Sequence, residues 1–188
     1  GCDEPGADPV NETEAVVTGD DLRDALRWRS VVAAYLVVRF PAVSRPRTLI
    51  SPEHIAVIAA QVKSLPSRFG SFRVSAAGSD SDDMRRWRDE LARATGLTDD
   101  HDDGELLIRL RKAADGGWEV LLRLTPRPLA TRAWRTERYE GGLNATIAAA
   151  VIRATNPSPE DRFIDLMCGS GTLLIERATA GPAAQLVG

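Results

Sequence analysis

Asp161-Arg162-Phe163-Ile164-Asp165-Leu166-Met167-Cys168-Gly169-Ser170-Gly171-Thr172-Leu173-Leu174-Ile175-Glu176-Arg177-Ala178 is the stretch on which the reading of the fold rests. Arg162 to Met167 is a short apolar run with the length of a buried parallel strand rather than a helix. Cys168 to Gly171 turns the chain, and from Thr172 to Ala178 the residues Leu173, Leu174, Ile175 and Ala178 recur at helical spacing. Gly181-Pro182 stops that helix, and Gln185 to Gly188 opens another strand. Strand, glycine turn, helix, strand is the opening βαβ unit of a doubly wound sheet, in which ligands bind at the carboxyl end of the first strand. Glycine suits that turn because a Cβ would keep the backbone away from a ligand, and the amides that open the helix can bind an anionic group.

The turn is neither of the two common phosphate cradles. Leu174 stands where the third glycine of a dinucleotide fingerprint would be, and no Gly-Lys-Ser/Thr follows. An ordinary tight βα turn is the plain alternative. Asp165 late in the strand, then Cys168-Gly169-Ser170-Gly171-Thr172, then Ile175-Glu176, resembles motif I of S-adenosylmethionine-dependent methyltransferases, in particular RNA methylases that carry a THUMP domain. The resemblance implies S-adenosyl-L-methionine as cofactor, with Asp165 accepting from its α-amino group. It implies close backbone approach to the cofactor at Gly169 and Gly171, hydroxyls and amides from Ser170 and Thr172, and Cys168 beside the cofactor in the same turn, where, with no His or Lys near it in sequence, it reads as a small packing residue rather than a nucleophile. Asn144 and Thr146 would border the methionine end of the cofactor, although a helix-capping role for Asn144 stands equally open. Glu176 would either contact the sugar or face solvent.

At 188 residues with 43% apolar content the chain makes one large domain or two small ones. A net charge of -3 gives no global basic signature, so nucleic-acid affinity must come from local patches. Apart from Lys63 and Lys112 every positive side chain is arginine. Two cysteines make no disulfide framework, two histidines make no metal cluster, and Asp99 to Asp103 lacks the spacing of an EF-hand. No metal site is expected. No apolar run reaches membrane-spanning length and no signal peptide is visible, so the expected location is the cytoplasm. With no initiator Met and an end inside a predicted strand, the chain reads as the N-terminal part of a larger protein.

Upstream, residues 1–13 are acidic, turn-rich and expected to be loose, with a short strand over Glu14 to Thr18. Asp20 is placed to cap a helix from Asp21 to Trp28, and Val31 to Phe40 reads as a strand ended by Pro41. Ser51-Pro52-Glu53 starts a helix whose inner face is Ile55, Ile58, Ala59 and Val62. Phe72, Val74 and Ala76 alternate as a half-exposed strand. A helix follows from about Asp82 to Thr95, with Met84, Trp87, Leu91 and Ala94 as its stripe and Gly96 as its stop. Glu105 to Lys112 and Trp118 to Thr125 form a hairpin, and Leu143 to Thr155 is a helix with Ile147, Ala148, Val151 and Ile152 inward.

The fold class expected is therefore an α+β region followed by the opening βαβ of an α/β Rossmann-like methyltransferase domain. Phe72 to Gly78, Trp118 to Leu124, and Leu129, Arg132 and Arg135 are similar to a THUMP domain, and Leu143-Asn144-Ala145-Thr146 is similar to the helix leading into that family's catalytic domain. On this resemblance residues 1–40 are a remnant of an N-terminal ferredoxin-like domain, 41–127 the THUMP domain, 128–140 a linker, and 141–188 the start of the methyltransferase domain. The implied activity is methylation of RNA, with guanine N2 of tRNA as the implied target and RNA binding by the THUMP region. Candidate RNA contacts are Arg123, Arg127, Arg132, Arg135 and Arg138, with Trp134 and Tyr139 interleaved for stacking. The Asn/Asp-Pro-Pro-aromatic catalytic motif of such enzymes is absent from these residues. Asn156-Pro157-Ser158-Pro159 precedes motif I and lacks the aromatic, so it reads as a linker turn and the chain alone is expected to be inactive. Two other readings stay open on the sequence: a non-catalytic RNA-binding module, and a methyltransferase acting on DNA or protein.

Overall fold

The computed structural model describes residues 7–19, 21–78, 80–114, 116–137 and 140–188. It forms two compact units, one built from Gly1–Val32 together with Pro128–Gly188, the other from Ala33–Arg127.

The second unit holds a five-stranded mixed sheet: β3 (Tyr35–Phe40), β4 (Ser71–Ser75), β5 (Thr98–Asp99), β6 (Leu106–Lys112) and β7 (Trp118–Arg123), in the order β3-β7-β6-β4-β5. β7 runs antiparallel to both β3 and β6, whereas β4 runs parallel to β6 and β5. Paired residues share a sheet face, so the register sorts the side chains. Phe72, Ile108, Val120, Leu122, Val38 and Phe40 lie on one face, all buried. Helices α1 (Pro52–Ser64) and α2 (Asp82–Thr95) pack on each other, and α2 also packs on a 3-10 turn, Pro46–Ile50. The expected stripe of α1 is buried throughout, and Ser51 Oγ caps it by accepting from His54 N at 3.4 Å. In α2, Met84, Trp87 and Leu91 are buried and Ala94 is half-buried. Ser81 Oγ caps the start, and Gly96 at φ 77° ends the helix in the left-handed conformation that glycine adopts without strain.

Two glycines in this unit are required by close approach. A Cβ on Gly104 would lie 2.3 Å from the Phe72 carbonyl carbon. One on Gly117, at φ 76°, would lie 2.6 Å from the Phe40 oxygen. Asp115, in the same hairpin loop, lies outside the described residues. The acidic loop contributes the short strand β5, which the sequence did not suggest, and Asp99 there pairs with Arg88 of α2 at 2.8 Å.

In the first unit the part of the expected loose terminus from Ala7 onward is instead a strand, β1 (Ala7–Pro9), antiparallel to β2 (Ala15–Val17), which lies within the expected Glu14–Thr18 strand; residues 1–6 lie outside the described residues. Asn11 closes its turn by accepting from the amides of Thr13 and Glu14 at 2.8 and 3.0 Å. The helix expected over Asp21–Trp28 is only a 3-10 turn, Asp24–Arg27, and its expected cap, Asp20, lies outside the described residues. Helix α3 (Ala145–Ala154) packs on α4 (Thr172–Ala180), and β8 (Arg162–Ile164) pairs in parallel with β9 (Gln185–Val187). The βαβ connection thus stands in the structure. The inward face of α3 is rotated from expectation: Ala145, Thr146, Ala148 and Ile152 are buried, whereas Ile147 and Val151 are exposed. No helix among the described residues is long and apolar enough to cross a membrane.

Candidate functional site

β8 delivers Asp165 to the carboxyl end of the parallel pair, where its amide donates to Val187 O at 2.8 Å. Asp165 Oδ1 accepts from Met167 N at 3.2 Å and so bends the chain into the turn. Gly169 (φ 52°) and Gly171 (φ 71°) supply two left-handed residues there. The Gly171 amide donates to Cys168 O at 2.8 Å, and its carbonyl accepts from Ile175 N to start α4. Because Gly171 is the N-cap, no side chain caps α4. The first amides of that helix therefore lack the hydroxyl or carboxylate partner that Ser or Asp would provide.

In front of this helix end lies a cleft of about 610 Å³, lined by Gly141, Gly142 and Leu143 on one side and by Asp165–Ser170, Thr172 and Leu173 on the other. That volume is within the usual range for a small-molecule site. Asp165, Cys168, Gly169, Ser170 and Thr172, all expected at the cofactor, line it; Gly171, the cap of α4, and Thr146 are not among the lining residues. Cys168 is a free, half-buried thiol in the turn. Asn144 does not line the cleft. Its Oδ1 accepts from Thr146 N at 2.8 Å and from Thr146 Oγ1 at 2.6 Å, the capping role that the sequence left open.

Arg135 braces the cleft. One terminal nitrogen donates to Leu143 O at 2.8 Å and to Thr172 Oγ1 at 2.7 Å, one residue from each wall, and the guanidinium lies over the Trp134 ring at 5.2 Å. Thr172 Oγ1 is also 3.1 Å from Ser170 Oγ. Sequence reasoning placed Arg135 and Trp134 on RNA and gave no sign of this bracing.

Glu176 has neither of the roles weighed for it. Its side chain has 0% exposure and accepts from Arg29 Nε at 2.8 Å and Arg132 Nε at 2.9 Å. Burial pushes this carboxyl up, but the hydrogen bonds from Arg29 and Arg132, with their charges, outweigh it and hold the group below the usual glutamate range. Arg132, expected on RNA, is buried and also donates to Leu129 O and to Arg29 O (2.7 Å). Arg177 is buried as well, donating to Ser158 O (2.6 Å), Asp161 Oδ2 (3.0 Å), Gly181 O (3.1 Å) and Pro182 O (3.1 Å). Asn156, at φ 51°, is the left-handed residue just beyond α3, which fits the linker-turn reading of Asn156-Pro157.

The remaining RNA candidates belong to the second unit or lie outside the described residues. Arg123 is buried, its Nε donating to Thr125 O at 2.8 Å and a terminal nitrogen to Pro126 O. Burial draws its pKa below the ordinary arginine value; Tyr35 opposes that shift, and Arg73 and Arg109 add to it. Arg127 is exposed, and Arg138 and Tyr139 are not described. Among the described residues no group of His, Cys, Asp and Glu is placed to hold a metal ion.

Residues 132–186, which contain the cleft, match a family model described as RMKL-like, methyltransferase domain. The chain is 39% identical over 80 residues to ribosomal RNA large subunit methyltransferase K/L of Photobacterium profundum, a match covering 42% of this chain and 11% of that protein. It is 43% identical over 47 residues to a tRNA (guanine(6)-N2)-methyltransferase of Archaeoglobus fulgidus, covering 25% of this chain and 12% of that protein. Among solved structures it shares its fold with TrmN from Thermus thermophilus, at a TM-score of 0.58 and 24% identity over 92% of this chain and 53% of that one. The chain therefore spans about half the length of that structure and a small part of these curated relatives.

Proposed function

We propose that residues 132–186 open an S-adenosylmethionine-dependent methyltransferase domain that acts on RNA, with guanine N2 of tRNA as target. The observation that carries this reading is the cleft at the carboxyl end of β8, within the region that matches the methyltransferase-domain model. Its donor set suits the amino-acid end of S-adenosylmethionine. Asp165 offers a carboxylate to the ammonium, the uncapped amides of α4 offer donors to the carboxylate, and the turn glycines leave room for both. When bound, the cofactor supplies an electrophilic methyl group. The work of this chain is to hold and orient it, which is where most of the gain in such a transfer arises. Similarity to the Archaeoglobus enzyme supports the choice of guanine N2 of tRNA. The second unit, in this reading, is a THUMP-type module that binds the RNA.

The test is cofactor binding by the 188-residue chain, followed by saturation-transfer NMR at millimolar S-adenosylmethionine. The methionine-end protons should receive the strongest transfer, and Asp165→Ala should abolish it while leaving the fold intact by circular dichroism. Equal transfer to the Asp165→Ala protein would refute the site. No methyl label should pass to tRNA from these residues alone, since they contain no Asn/Asp-Pro-Pro-aromatic motif.

A further inference from the structure

The face of the five-stranded sheet opposite its apolar one is arginine-rich. By register it carries Arg73 on β4, Arg109 and Arg111 on β6, Arg39 on β3 and Arg123 on β7, against one carboxylate, Glu119. Glu119 is committed to two of them, with Arg39 Nε at 3.0 Å and Arg111 Nε at 2.8 Å. Arg123 turns its donors to main-chain carbonyls. Arg73 and Arg109 are left: among the described residues neither has a carboxylate in ion-pair range, and Arg73 Nε is buried with no hydrogen-bond partner. Arg109 is exposed, with its guanidinium 5.5 Å from the centre of the Tyr35 ring.

Three like charges gathered on one face, in a chain whose net charge is -3, are an unfavourable arrangement until an anion joins them. Burial is the main reason the Arg123 pKa lies below its ordinary value, and the charges of Arg73 and Arg109 add to that shift. The Tyr35 ring with the Arg109 guanidinium over it, beside the unpartnered Arg73, suits a ligand with both phosphates and planar bases.

We infer that this face binds single-stranded RNA, with Arg73 and Arg109 on backbone phosphates and Tyr35 as a platform for a base. The inference rests on the RNA reading proposed above and gives it a location. Its test is binding of a fluorescent single-stranded RNA to the full 188-residue chain across a salt series, using the parent, the double variant Arg73→Gln/Arg109→Gln, and a charge-matched control, Arg45→Gln/Arg47→Gln. The control residues are exposed and lie at the Pro46–Ile50 turn, off the sheet face. The double variant should flatten the log–log salt slope by about 1.4, from roughly 0.7 per phosphate contact on a single strand. Between about 50 and about 200 mM salt the parent then loses about sevenfold more affinity than the variant. Tyr35→Ala should weaken binding without changing the slope.

Equal losses in the sheet variant and the control would overturn the site in favour of diffuse attraction. Unchanged binding in the sheet variant, or no RNA binding by the parent, would overturn it as well. The cofactor assay with Asp165→Ala stands apart from all of these, so the methyltransferase reading survives or fails on its own result.

Discussion

Replacing Glu176 by alanine should destabilise α4 by about 3 kcal/mol, because it strands a buried charge. The carboxylate has no exposed surface and holds Arg29 and Arg132 at 2.8 and 2.9 Å, and the Arg132 side chain is only 6% exposed. Removing one partner of such a pair costs about 3–5 kcal/mol, since the other is left without compensation. The lower end applies here. Arg132 keeps the carbonyls of Leu129 and Arg29, and Arg29, about one-third exposed, can turn to water. At roughly 1.4 kcal/mol per tenfold, amide exchange in α4 should accelerate about a hundredfold, read by mass spectrometry with the β6 and β7 amides as reference in the same sample. Glu176→Leu combined with Arg132→Met should recover most of the loss, because a well-packed apolar pair needs no partner. Acceleration below about threefold for Glu176→Ala would refute the argument. The pH dependence has a fixed sign. Glu176 is held below its ordinary value, so its contribution is complete above the unfolded-state pKa of about 4.3 and is lost as pH falls through the folded-state value. Acidification should therefore open α4 in the parent and have little further effect in Glu176→Gln.

Two further outcomes are expected. Gly117→Ala should cost about 2 kcal/mol or more in urea unfolding, from its positive φ and the approach to Phe40 O; Gly116→Ala, at φ 98° with open space, bears only the backbone strain. Equal effects at the two glycines would discount the contact. Arg135→Gln should weaken the S-adenosylmethionine transfer signal severalfold, and Arg135→Lys should not restore it, because an ammonium lacks the planar group that stacks over Trp134 and so aims one terminal nitrogen at both Leu143 O and Thr172 Oγ1. Full rescue by lysine would show that charge alone matters.

Local chemistry made much of this fold legible. α2 was readable because Met84, Trp87 and Leu91 recur at helical spacing and Gly96 stops the helix, whereas its Ser81 cap went unread; the glycine turn pointed to the cleft because Asp165 to Thr172 is contiguous. The β1–β2 hairpin was not readable: its first strand, Ala7-Asp-Pro9, has no apolar alternation and is set by the Asn11 turn. α3 carries apolar residues on two faces, so periodicity could not choose between Ile147/Val151 and Ala145/Ala148/Ile152. The contacts of Glu176 were beyond local reading altogether, since its partners lie 147 and 44 positions away. The same distance in sequence made Arg132 look like a surface cation.

Arg177 has a consequence for evolution of the cleft. One guanidinium holds Ser158 and Asp161, which precede β8, and Gly181 and Pro182, which precede β9, so its width acts as a gauge for the gap between the two strand entries. The in-register parallel pairing from Arg162–Gln185 to Ile164–Val187 inherits that spacing, and with it the height at which Asp165 emerges. A lysine would carry the charge but not the width. Drift at position 177 would therefore register first as a change in the shape of the cleft, although Arg177 itself does not line it.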